Sequence, residues 1–141
     1  MVDLMIARSD DSKARHEPLD LASVWLDRQA KVFALRGEVD LSNAHAILEA
    51  VSSGRNGGGG DLVLDLAGLD FIDCSGLHVL ATLATKMQRE SAKLLLQFPR
   101  RIVLRAIEVS RLAEHPAITI VPGSSLPAAD DSPEPHYVRL A

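Results

Sequence analysis

Aromatic residues make up only 4% of this 141-residue chain, so its core has to be built from Leu, Val, Ile and Ala rather than from large rings. There is a single cysteine, Cys74, which excludes an internal disulfide and a multi-cysteine zinc site, and no metal is expected. There is no basic excess either. The formal net charge is −4, whereas a surface that follows nucleic-acid phosphates needs positive charge, so no nucleic acid is expected as a partner. The same balance gives little attraction to an anionic membrane. No apolar run approaches the ~18 residues of a membrane span. Met1 to Arg15 mixes acids and bases without the apolar stretch of a signal peptide. The expectation is a cytoplasmic protein with no membrane insertion.

What is present describes a globular protein. The hydrophobic fraction is 47% and the charged fraction 24%, which is ordinary for a folded domain with a real core, and the length suits one domain. Residues 1–17 read as a flexible polar arm, 18–121 as the folded domain, and 122–141 as a Pro/Ser/Asp-rich tail without a core of its own.

Within the domain, Leu19 to Leu26 alternates as a strand, and Asp27, Arg28 and Gln29 read as a hairpin turn. Val32 to Leu35 is a second strand ending at Gly37-Glu38-Val39-Asp40. Ser42 is a plausible N-cap for a helix with Ala44, Ile47, Leu48 and Val51 on one face. Gly54 to Gly60 ends that helix. Leu62 to Leu66 has the length of a buried strand, and Phe71-Ile72 leads through Asp73-Cys74-Ser75-Gly76 into a helix with Leu77, Leu80, Ala81 and Ala84 on one face. Lys93 to Phe98 reads as a strand. Pro99 starts a third helix, where its missing N–H is harmless. Val103, Ala106, Ile107 and Ser110 share a side of this helix, which ends near His115-Pro116. Ile118 to Val121 is a last strand. Strands alternating with helices predict an α/β fold with a mixed sheet joined largely by helical crossovers.

Several chemistries fail on local pattern. The glycine-rich run is followed by Asp61 and a strand, whereas a P-loop needs Lys and then Ser or Thr opening a helix. Ser75 lacks the flanking glycines of a nucleophile elbow, since Asp73 and Leu77 stand two residues either side. His45, His78 and His115 are scattered on helices and belong to no motif. Cys74 lacks the Arg six residues on that a cysteine phosphatase requires, because Leu80 stands there. In its simplest reading Cys74 is a small, semi-buried space-filler. No enzyme activity and no cofactor are expected.

The turn from Asp65 to Leu77 remains. It runs from a buried strand into a helix start, where free backbone N–H groups and a hydroxyl meet, a setting that suits an anion or an added phosphate. Asp40, at the end of the second strand, comes to the same rim if the first and third strands are neighbours. Asp73 and Ser75 also have the simpler role of capping the helix.

Gly37-Glu38-Val39-Asp40 followed by a helix, then Leu64-Asp65-Leu66 through Phe71-Ile72-Asp73-Cys74-Ser75-Gly76-Leu77, resembles the STAS domain of bacterial anti-sigma-factor antagonists. The likeness spans residues from about 19 to 121. It implies a four- or five-stranded mixed sheet with helices packed on one side. It also implies an anti-sigma factor antagonist, whose partner is an anti-sigma factor that is a GHKL-type serine kinase, with a phosphatase acting on the phosphorylated form. Binding of the unphosphorylated antagonist would free the sigma factor, and a phosphate of charge ≈ −1.5 to −2 in the interface would oppose binding. The resemblance places the partner surface on Asp40, Leu41 and Ser42 together with Asp73, Cys74, Ser75, Gly76, Leu77 and His78.

The sequence departs from the family at the phosphoacceptor position, where Cys74 stands in place of Ser or Thr. Three outcomes follow: the kinase uses Ser75, or Cys74 leaves the protein insensitive and always ready to bind, or a thiol switch replaces the phosphate. The second is preferred because serine kinases are built around a hydroxyl. The prolines from Pro122 to Pro135 also disfavour the closing helix usual in the family. The alternative reading is a STAS-like scaffold or transport-complex module without a phosphorylation switch.

Overall fold

The computed structural model describes residues 23–27, 31–55, 59–123 and 137–140. The expected arm at 1–17, the turn at Arg28 and Gln29, and most of the segment after Pro122 lie outside the described residues. Among the described residues, six strands form one sheet. In chain order they are β1 (Ser23–Asp27), β2 (Val32–Val39), β3 (Leu62–Ile72), β4 (Leu94–Gln97), β5 (Ile118–Val121) and β6 (Tyr137–Arg139). The helices are α1 (Ala44–Arg55), α2 (Cys74–Arg89) and α3 (Arg101–Val109), with a 3-10 turn at Leu112–Glu114.

Across the sheet the order is β5, β4, β3, β2, β1, β6. β2 to β5 are mutually parallel, and β1 runs antiparallel to both of its neighbours. Each step from β2 to β5 moves one place in the same direction through a helix. Right-handed crossovers therefore put α1, α2 and α3 on one face. Alternation along the strands agrees: Phe33, Leu35, Leu62, Leu64, Leu66, Leu94 and Leu96 are buried in one cluster with Ile47 and Val51 of α1, Leu80, Leu83 and Met87 of α2, and Val103 and Ile107 of α3. The core is aliphatic, with Phe33 the one buried ring among the described residues.

β3, at 11 residues, is longer than the five expected, and it carries two irregularities. Its register against β2 shifts between Ala34 and Arg36 and again between Gly37 and Glu38. Each shift spends one extra residue of β3, so core positions pass from a spacing of two (Leu62, Leu64, Leu66) to a spacing of three (Leu69, Ile72). A period of two hides such a strand.

Among the described residues the sheet has six strands where four or five were expected. The added strand, β6, comes from the segment read as a tail. It pairs with the outer edge of β1, and Arg139 stacks 5.7 Å from the centroid of the Trp25 ring. Leu140 then packs against the core. Other corrections are local. Asp27 ends β1 and is buried, not a turn residue. α3 begins at Arg101, with Pro99 ahead of its Arg100 cap, and it ends at Val109, because Arg111 turns left-handed (φ 67°) into the 3-10 turn. In α2 the buried face is Gly76, Val79, Leu80, Leu83, Ala84 and Met87, and Leu77 lies at its margin. Ser110 is exposed.

Candidate functional site: a two-loop rim

Parallel strands end at the same side of a sheet, so the segments that follow β2 and β3 emerge together. β2 pairs directly with β3, up to Val39 opposite Ile72. That pairing brings Asp40 and Asp73 to one rim without the contact between first and third strands that the sequence reading required.

Each loop is fixed by its own aspartate. Asp73 is the N-cap of α2, and its Oδ1 accepts from the N–H groups of Ser75 (2.8 Å) and Gly76 (3.1 Å). Two of the N–H groups that a helix start leaves open are thereby satisfied. The Leu77 N–H donates to the Asp73 carbonyl at 2.9 Å. In the other loop Asp40, not Ser42, takes the capping role. Its Oδ1 accepts from the Ser42 N–H at 2.9 Å and from the Ser42 hydroxyl at 2.6 Å. A carboxylate is the stronger acceptor, so the serine hydroxyl serves here as a donor.

Asn43, overlooked in the sequence, completes this loop. It is buried; its Oδ1 accepts from the Asp40 N–H and its Nδ2 donates to the Glu38 carbonyl, both at 2.9 Å. The reciprocal bond from a residue three places on is the logic of a capping box, so Asp40-x-x-Asn43 was the available signal.

Gly76 explains how closely α2 approaches the strands. A Cβ at this position would stand 2.9 Å from Val39 Cγ1 and closer still to Ile72 Cγ1. Only a residue without a side chain lets the first turn of α2 rest on the ends of β2 and β3.

The outward-facing residues of the rim are Leu41, Ser42, Cys74 and His78, with Ser75 and Leu77 half-buried and Gly76 buried. Leu41 is 81% exposed, a large apolar side chain held in water on a rigid loop. Phe71, at the end of β3, is 40% exposed. Cys74 is exposed, so it fills no space in the core. Beside the rim, Arg100 bridges the start of α3 to β3: its Nε donates to the Ala67 carbonyl at 2.6 Å, and its Nη1 lies 2.9 Å from Asp70 Oδ1. Of the expected site residues, Asp40, Leu41 and Ser42 fall in one loop and Asp73 to His78 in the adjoining helix start.

Among the described residues, no group of three or more His, Cys, Asp or Glu side chains is placed to hold a metal ion. Among the same residues, no helix is long and apolar enough to cross a membrane. The arrangement presents a shaped surface of rigid backbone, an apolar knob and a thiol.

The fold is that of a small α/β domain, helices packed against a mixed sheet. The family model described as "STAS domain" matches residues 26–122, and the chain belongs to that family. Solved structures agree on the fold. An anti-sigma factor antagonist from Mycobacterium paratuberculosis is similar with a TM-score of 0.57 and 24% identity, over 65% of this chain and 76% of that one. The anti-sigma factor antagonist SpoIIAA in its unphosphorylated form has a TM-score of 0.54 and 21% identity, over 64% of this chain and 77% of that one. The NMR structure of the protein TM1081 has a TM-score of 0.52 and 21% identity, over 81% and 90%. No curated protein matches the sequence.

Proposed function

We propose that this STAS domain is an anti-sigma factor antagonist: it captures an anti-sigma factor that is a GHKL-type serine kinase and so releases a sigma factor in the cytoplasm. The observation that carries the reading is the rim itself, two aspartate-locked loops at the ends of neighbouring strands, with Leu41 held out in water beside the start of α2. Loops so fixed lose little conformational entropy on binding, and an exposed apolar side chain gains most from desolvation. Two structural neighbours are themselves anti-sigma factor antagonists, which supports the same class of partner here. The protein acts by binding and not by catalysis.

The phosphoacceptor position is where this chain departs from the scheme that the family resemblance implies. Cys74 occupies it and is exposed, while Ser75 next to it is half-buried, with its N–H held by Asp73. A kinase built to transfer phosphate to a hydroxyl finds a thiol at the accessible position. The protein therefore stays competent to bind in the presence of ATP, and a phosphatase has nothing to reverse.

The test is affinity capture from host cytosol with the tagged protein, with and without ATP, read by mass spectrometry. The expected result is recovery of a GHKL-type serine kinase that ATP does not release, with no phosphate mass on the bait. Release by ATP with a phosphate on Ser75 would replace the locked binder by a switched one. A stable set of other proteins with no such kinase would sink the antagonist reading in favour of a scaffold or transport-complex module.

A further inference from the structure

The rim leaves unexplained the outer side of α3. Val103 and Ile107 face the core. On the opposite side Ile102 is 57% exposed and Val109 73% exposed, seven residues and so about 10 Å apart along the axis. Arg101 and Arg105, also exposed, run beside them. Helical geometry places Arg105 at the centre of the outward face, with Ile102 and Val109 along one flank and Arg101, followed two turns on by Glu108, along the other. From Arg100 to Arg111 the chain carries four arginines against Glu108 alone, although the whole protein has a net charge of −4. Arg100 is paired with Asp70 and Arg111 with Glu114. Among the described residues Arg101 and Arg105 form no such pair.

The start of α3 is tied to the strand that carries the rim. α3 follows the C-terminal end of β4 as the two rim loops follow those of β2 and β3, and although Gln97 at the end of β4 pairs with Asp65, Arg100 reaches further along β3. The Arg100–Asp70 pair spans from the start of α3 to the end of β3, one residue before the exposed Phe71. Exposed apolar side chains thus follow β2 (Leu41), end β3 (Phe71) and open α3 (Ile102).

We propose that the outer face of α3, with Ile102 and Val109 beside Arg101 and Arg105, is a second contact surface for the captured kinase and takes an acidic, partly apolar helix of that partner. The inference rests on the antagonist reading above. Charge complementarity selects the occupant: two cations along one side of an apolar strip match a helix carrying Asp or Glu beside Leu or Ile. A lipid surface fits less well, because the face offers only two aliphatic anchors and no aromatic, includes Glu108, and belongs to an acidic protein.

The test uses the kinase captured by the full-length protein, repurified and titrated against wild type and three variants: Arg101→Glu/Arg105→Glu, Ile102→Ala/Val109→Ala, and Leu41→Asp in the rim. All the altered residues are exposed, and circular dichroism with urea unfolding checks that each variant folds as wild type. Both α3 variants should bind about tenfold or more weakly. The Arg variant should in addition lose much of the salt dependence of association, and Arg101→Lys/Arg105→Lys should restore both. Wild-type affinity in both α3 variants, with Leu41→Asp impaired, overturns this proposal and leaves the antagonist reading standing. Absence of any kinase with wild-type bait overturns both. Concentration-dependent dimerisation, or cosedimentation with phosphatidylglycerol vesicles, abolished by the α3 substitutions while kinase affinity is unchanged, assigns the face to a second copy or to lipid and overturns it equally.

Discussion

The backbone N–H of Asp73 donates to the carbonyl of Val39 across 3.1 Å, so the turn that opens α2 is tied to the end of β2 as well as to its own strand. The Asp40 loop begins one residue after Val39. A distortion at either aspartate therefore reaches the other loop through one backbone hydrogen bond.

Asp73→Ala removes the acceptor of two N–H groups at the start of α2. Loss of such a cap costs about 1 kcal/mol, which urea unfolding would register as a lower midpoint with an unchanged slope. The proposed kinase capture should fall by more than this stability loss explains, because the folded variant presents a loosened rim. Asp73→Asn keeps an acceptor and should recover most of the stability. Equal stability of the alanine variant and wild type would remove the capping argument.

Gly76→Ala introduces a methyl group against Val39 and Ile72. Both neighbours are β-branched and anchored in strands, so neither can swing aside as the end of a long side chain would. Overpacking of this kind costs about 1–3 kcal/mol. Gly68→Ala is a useful contrast, since its Cβ would meet the flexible Arg36 side chain at 3.0 Å. Unfolding midpoints should separate the two variants clearly, with Gly76→Ala much the less stable; a reversed order would refute the account of the helix approach.

How much of this was legible in the sequence depends on whether the decisive contact was local. α1 and α2 were visible because Ile47 and Val51, or Leu80 and Ala84, repeat at helical spacing. The cap at Asp73 was visible as a residue type at a helix start, whereas Ser42 stood nearer to α1 and hid the same role of Asp40. The two bulges of β3 were not, because a spacing of three between Leu66, Leu69 and Ile72 resembles neither strand nor helix until β2 lies alongside. β6 was missed for a related reason. Three residues after a proline-rich stretch carry no period, and what makes them a strand is the free edge of β1, far away in sequence. The exposure of Cys74 was equally hidden, since it depends on which way the first turn of α2 faces the sheet.

Cys74→Ser tests the reading of the phosphoacceptor position directly. With the captured kinase and ATP, the variant should gain the mass of one phosphate and lose its hold on the kinase, while wild type does neither. The phosphoserine would sit at the start of α2 between Asp73 and the partner, where its charge of ≈ −1.5 to −2 must be desolvated and meets the aspartate. Intact-mass spectrometry follows the reaction, and Ser75→Ala treated in the same way should, like wild type, gain no phosphate. A Cys74→Ser variant that stays unmodified and bound would refute the reading.

Asp65 lies on the sheet face away from the helices, between Ala34 and Gln97 of the neighbouring strands. Burial holds its carboxyl above the ordinary aspartate range, against the opposing pull of the Ala67 N–H and the Arg36 charge. A raised carboxyl in the folded state means that the native protein prefers the protonated form more than the unfolded chain does. Stability is therefore lost as pH rises through the ordinary aspartate range to the folded value, and the penalty persists at neutral pH. Asp65→Asn keeps an acceptor for Ala67 and removes the penalty. It should raise the unfolding midpoint at pH 7, with a gain that shrinks towards about pH 3, below the unfolded value. A gain of the same size at both pH values would show that the charge is not its source.

The C-terminal strand carries the last prediction. Leu140 donates its N–H to the Val24 carbonyl at 2.6 Å. Its side chain comes so near α1 that a Cβ on Gly54 would stand 2.8 Å from Leu140 Cδ1 and 2.7 Å from Phe33 Cε2. Gly54 thus makes room for a residue that closes the sheet, which gives the first glycine after α1's apolar face a packing role. Leu140→Ala should cost about 1–2 kcal/mol, less than a fully buried leucine because the side chain is only partly covered. Removing residues 137–141 should cost more and also bare the outer edge of β1, whose unpaired N–H and C=O groups invite pairing with another chain. Urea unfolding measures the first effect, and light scattering at rising concentration measures the second. A truncated protein as stable and as monodisperse as wild type would show that β6 contributes nothing to the sheet, and the contact between Leu140 and Gly54 would then have no energetic meaning.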